Sequence, residues 1–161
     1  MSRKRSRLPL AVTASLALAA LFAAVALSGC DASSGPTGDS LVGVWSSSGG
    51  DGFTVTETTF SYQYGDTEQF AGDIANDPDL SAGSGYIVMR ITSRLNSWDP
   101  EVGKYVAIHW KNFTGDGVKE SSAYKTGGSY NSGMDTLAEA EAEYTVANGY
   151  YGYYGEYLRE E

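Results

Sequence analysis

Residues 104–125 read KYVAIHWKNFTGDGVKESSAYK. Over Lys104–Phe113 the side chains alternate, with Val106, Ile108 and Trp110 on one face of an extended chain and Tyr105, Ala107 and His109 on the other. Thr114-Gly115-Asp116-Gly117 follows and is the strongest hairpin signal in the chain, because Asp-Gly readily supplies the positive φ that a tight turn demands. Val118 to Lys125 is then the return strand. A strand, a tight turn and a strand make an antiparallel pair, and that decides the fold class.

The same period extends upstream. Tyr86–Arg94 sets Ile87, Met89 and Ile91 against Tyr86, Val88, Arg90 and Thr92. Shorter strands are expected near Leu41–Ser46, Phe53–Thr56, Thr59–Tyr64 and Glu68–Ile74, separated by Gly/Asp/Asn clusters. Downstream the period changes at TLAEAEAEYT, residues 136–145. Thr136 followed by Glu139 is the pattern of a capping box. Leu137, Ala140 and Tyr144 form one helical stripe, leaving Glu139 and Glu143 to face water. Tyr150–Leu158 reads as a closing strand with tyrosines on both faces. About eight short-linked antiparallel strands must close or cover their edges, so the expected fold is a mainly β, up-and-down barrel with one short helix near the C-terminus.

The N-terminal part obeys other rules. Arg3, Lys4, Arg5 and Arg7 precede an apolar run from Leu8 to Leu27, then Ser28, Gly29 and Cys30, the only cysteine of 161 residues. That is the order of a secretory signal, although about 20 apolar residues would also suffice for a membrane-spanning helix. Leu27-Ser28-Gly29-Cys30 resembles the lipobox of bacterial lipoproteins. The resemblance implies that the signal is cut before Cys30 and that this residue carries the lipid. Residues 1–29 are then a lipoprotein signal peptide, 30–40 a lipidated cysteine with a flexible Ser/Gly-rich tether, and 41–161 the β domain. A lone cysteine forms no intrachain disulfide and, with His109 the only histidine, builds no zinc site.

Removing residues 1–29 removes four basic side chains, leaving 7 Lys+Arg against 20 Asp+Glu, a formal net charge of −13. Such a surface is repelled by nucleic acid and by anionic lipid headgroups, so membrane attachment has to come from acyl chains. The chain is expected in the cell envelope, extracytoplasmic and monomeric.

Gly43-Val44-Trp45 resembles the G-x-W of the first strand in lipocalin-like domains, which implies that Gly43 and Trp45 build a barrel floor and that the mouth takes a small apolar or amphipathic ligand. FTVTETTF (53–60), KYVAIHW (104–110) and TLAEAE (136–141) before a tyrosine-rich stretch are also similar to small lipobox-bearing proteins from spirochaetes and other bacteria. No triad, paired-carboxylate or phosphate-loop pattern appears, so no catalytic residue, cofactor or metal is expected. The mature chain carries twelve tyrosines, and a pocket would draw on Tyr86, Tyr105, His109, Tyr151 and Tyr153. The alternative is a filled barrel without a small ligand, acting as a surface interaction or structural lipoprotein through exposed aromatic side chains.

Overall fold

A computed structural model describes residues 39–125 and 133–161. Residues 1–29, expected to be a signal peptide, and Cys30 lie outside the described residues. The chain forms β1 (Gly43–Ser46), β2 (Asp51–Val55), β3 (Thr59–Tyr64), β4 (Thr67–Ile74), β5 (Gly85–Arg94), β6 (Tyr105–Lys111), β7 (Gly117–Ser122), α1 (Leu137–Glu143) and β8 (Gly155–Arg159). Each strand pairs antiparallel with the next, and β8 returns to β1, giving a closed eight-stranded up-and-down barrel.

Alternation determines what fills it. Trp45, Phe53, Phe60 and Phe70 come from four successive strands and stack in a row around the inner wall, at centroid separations of 6.0, 5.6 and 6.3 Å. Ile87, Met89, Ile91, Val106, Ile108 and Trp110 complete this buried cluster from β5 and β6. Each favourable aromatic pair adds about 0.5–1.5 kcal/mol to the burial itself.

One end of the barrel is shut. There the chain enters at Leu41, whose N–H donates to Leu80 O (2.7 Å), and Trp45 donates from Nε1 to Leu41 O (2.9 Å). Phe113 packs edge-on against the Trp45 ring at 6.0 Å. The Arg159 guanidinium lies over the same ring, 4.3 Å from its centroid. Its Nη1, Nη2 and Nε donate to Val42 O (2.7 Å), Ser40 O (2.6 Å) and Gly115 O (2.8 Å). A Cβ at Gly43 would overlap that guanidinium, so the glycine of the G-x-W is needed for its lack of a side chain.

The helix follows its expected pattern, with Thr136 and Glu139 forming both halves of the capping box. Ala140 and Tyr144 are buried and Leu137 packs beside them on the outer face of β5 and β6. Three expectations need correction. Glu143 does not simply face water: it is half-buried and accepts a hydrogen bond from Tyr150 Oη at 2.7 Å. The return strand ends at Ser122 rather than Lys125. The closing strand begins only at Gly155. Residues 150–154 leave the sheet because their rings gain more by packing outside it: Tyr150 sits edge-on to Tyr144 at 5.0 Å, and Tyr151 is buried.

The β1–β8 seam pairs only Trp45 with Arg159 and Ser46 with Leu158. Arg159→Ala is therefore expected to lower the free energy of unfolding by about 3 kcal/mol, since hydrogen bonds to a charged group contribute roughly 1.5–3 kcal/mol each and water replaces part of them. Arg159→Lys recovers only part of the loss, because an ammonium group cannot present the guanidinium fork. Urea unfolding checks both, and a loss under 1 kcal/mol for the alanine variant would show that the seam holds without this side chain.

Candidate functional site

The end opposite the floor is bounded by the β1–β2 and β3–β4 turns, the β5–β6 loop and the end of β7. A cavity of about 210 Å³ opens there, between Trp98, Asp99 and Pro100 of the β5–β6 loop and Ser122, Ala123 and Tyr124 at the end of β7. Its inner wall is Phe70, Val106 and Ile108, the uppermost layer of the core. Arg90 Nε and Arg94 Nη1 donate to Gly103 O and Asp99 O, both at 3.3 Å, and so hold the loop that carries Trp98. Trp98 is 61% exposed, and Leu95, Val102, Tyr64 and Tyr124 are exposed nearby in the chain's mouth-end turns and loops.

Polar side chains also face the lumen. On β7, Val118 is part of the core, so Glu120 and Ser122 share its inward direction. Glu120 is only 3% exposed, and its Oε1 accepts from Ser122 Oγ at 3.3 Å. Burial pushes the Glu120 carboxyl up to about 8; the Ser122 hydrogen bond works against it, and the charge on Asp51 adds a smaller upward push. Glu120 is thus a neutral acid at pH 7. Asp51, at the start of β2, behaves oppositely. Its partial burial works to raise it, but hydrogen bonds from Ser47 and from Tyr157 Oη (2.5 Å) outweigh this and hold it below the ordinary carboxylate range. Tyr62 Oη reaches the same oxygen at 3.4 Å and is itself pushed up to about 12, chiefly by burial.

The residues expected to bind a ligand are elsewhere. Tyr86, His109 and Tyr151 do come together, with ring centroids 4.5, 5.6 and 5.3 Å apart, but on the outside of the barrel beneath the segment that follows α1. Tyr105 lies on the same outer face, half-buried beside that cluster. Tyr153 is 72% exposed. The polar atoms of this cluster have partners: Tyr154 Oη meets His109 Nδ1 at 2.8 Å, Tyr151 Oη donates to Tyr144 O at 3.3 Å, and Tyr86 Oη accepts from Val146 N at 3.2 Å. Burial, aided by the charge of Lys111, lowers His109, which keeps the ring neutral. A cleft of about 270 Å³ between α1 and β5 includes Tyr86, but Asn76 in its wall is spent on the backbone of Tyr86 and Val88. Gly43 and Trp45 stand at the floor as expected.

Sequence reasoning missed Glu120, Asp51 and Trp98. A signal for the first existed: Glu120 is two residues from Val118 on the face that the hairpin register turns inward. Among the described residues no group of three or more His, Cys, Asp or Glu side chains is placed to hold a metal, and no helix is long and apolar enough to cross a membrane. No family model, curated protein or solved structure matches the chain.

The Glu120 shift predicts a pH dependence of stability. Its folded value lies above the unfolded 4.5, so the folded state binds more protons between pH 4.5 and about 8 and stability falls as pH rises through that window. The slope is at most ~1.4 kcal/mol per pH unit. Glu120→Gln should flatten the curve between pH 5 and 8 in urea unfolding; an unchanged slope would mean that another group titrates there.

Proposed function

We propose that this chain is a lipid-anchored protein of the bacterial cell envelope whose extracytoplasmic barrel takes a small apolar or amphipathic ligand at its mouth. The observation that carries the binding part is the cavity of about 210 Å³ walled by Phe70, Trp98, Val106 and Ile108 above a core filled by side chains. Ligand sites are concave, mostly apolar and supplied with a few polar groups, and typically hold 300–1,000 Å³. The smaller volume here points to a single ring, a short chain, or one end of a longer molecule. The outer tyrosine cluster is then part of the wall that seats α1, not the binding site.

The anchoring part rests on the sequence, with Cys30 as the acylated residue and a formal charge of −13 on the mature chain disfavouring nucleic acid and anionic membrane surfaces. The filled-barrel alternative draws on the exposed Leu95, Trp98, Val102 and Tyr124, which give the mouth an apolar rim suited to a protein or envelope polymer.

Two measurements test the halves separately. In a bacterium that processes lipoproteins, Cys30→Ala should abolish acylation and signal cleavage, read by mass spectrometry; a correctly processed variant sinks the anchor. For the cavity, indole should bind saturably to the full-length chain in calorimetry, and Ser122→Trp, which fills the opening, should weaken it at least tenfold without lowering thermal stability. Saturable binding that survives the tryptophan places the ligand elsewhere.

A further inference from the structure

The mouth half of the lumen has a one-sided charge. Asp51 and Glu120 face inward from β2 and β7. None of the seven basic residues after Cys30 is among the groups that act on Asp51 or Glu120, and each has a partner of its own. Arg90 and Arg94 hold the β5–β6 loop; Lys104 pairs with Asp135 and Lys119 with Glu156. Lys111 and Lys125 lie over the rings of Tyr154 and Tyr150, and Arg159 is at the floor. The two acids are not equally engaged. Asp51 takes hydrogen bonds from Ser47, Tyr62 and Tyr157, whereas among the described residues the Glu120 carboxyl has Ser122 alone, through Oε1. Ser122 is also part of the cavity wall, so the cavity reaches to within one hydrogen bond of the Glu120 carboxyl.

This arrangement selects among amphipathic ligands. A carboxylate or phosphate end would meet the Asp51 charge and would keep Glu120 from ionising. A neutral hydroxyl would gain an ordinary hydrogen bond. An ammonium end gains a charge-assisted bond, roughly twice as strong, with the one carboxyl oxygen that lacks a partner. We propose that the mouth cavity is a site for organic amines, with an aromatic or short alkyl body against Phe70, Trp98, Val106 and Ile108 and the ammonium group directed past Ser122 to the Glu120 carboxylate. This rests on the mouth-cavity reading above.

The proton balance is explicit. The groups that act electrostatically with Glu120 are Asp51 from β2, Tyr62 from β3, Tyr157 from β8, and Tyr151 and Tyr154 from the segment before β8, none of them basic. Glu120 therefore carries a proton in the free protein at neutral pH. When the ammonium group arrives already protonated, the carboxyl O–H breaks, its proton passes to buffer, and the N⁺–H···O⁻ hydrogen bond forms.

The test is calorimetry on the full-length chain with three probes of matched shape: 2-phenylethylamine, 2-phenylethanol and 3-phenylpropanoate, at pH 7 in two buffers of different ionisation enthalpy. The amine should bind at least tenfold tighter than the alcohol and the carboxylate weaker than both, with proton release on amine binding alone. Glu120→Gln should remove the amine preference and the proton release. A preference for the alcohol or the anion, or an amine preference that survives Glu120→Gln, overturns the amine assignment and leaves the cavity reading standing. Binding of none of the three overturns both.

Discussion

The fold depends on closing a sheet whose last seam is two residue pairs long. Seven of the eight ladders run between sequence neighbours, but β1 and β8 come from opposite ends of the domain and overlap just at Trp45–Arg159 and Ser46–Leu158. Closing them costs loop entropy without many ladder hydrogen bonds in return. The deficit is offset by one side chain. Arg159 binds three carbonyls, two from the entering chain and one from the β6–β7 turn, while its flat guanidinium covers Trp45. It thereby ties β8 to two separate segments at one point. Lysine, with a point charge and no fixed fork, lacks the geometry for this.

Once the floor is fixed, the distribution of volume follows. Large aromatic side chains occupy inward positions of β1 to β4 and stack on one another. Toward the mouth polar side chains join the rings, with Asp51, Glu120 and Ser122 inward beside Tyr62 and Tyr157. A barrel of eight strands has an interior just wide enough for side chains to fill or for one small ligand to share. On the proposed reading both regimes occur in one lumen, meeting at the level of Phe70 and Ile108. Burying Glu120 works against stability, because a buried acid with one hydrogen bond is poorly compensated. Sequences that break a packing rule in this way tend to do so at functional positions.

Local rules made the strands and helix legible. Alternation in Tyr86–Arg94 and Lys104–Phe113 located β5 and β6 to within two residues, and Asp116-Gly117 located the turn between β6 and β7. The Thr136–Glu139 pair marked the start of α1 because a cap is decided by residues three apart. Facing was harder. Tyr86 and His109 were correctly grouped, since they are cross-strand partners, yet which side of the sheet they occupy depends on the closure of the whole barrel. Tyr150–Tyr154 misled for a related reason. Tyrosine favours strands, but here α1 offers a second apolar surface that no local pattern announces. Trp98 lies in a loop, where composition carries no signal of what it covers.

The described chain enters at the floor, where Ser40 and Val42 are held by Arg159, and the cavity opens at the other end. On the proposed reading a cation suits that opening. It is attracted by a strongly negative net charge and by the Asp51 carboxylate that faces inward behind the opening. The net charge and the Glu120 oxygen that no described residue bonds therefore favour the same class of molecule, and each rests on a different part of the chain.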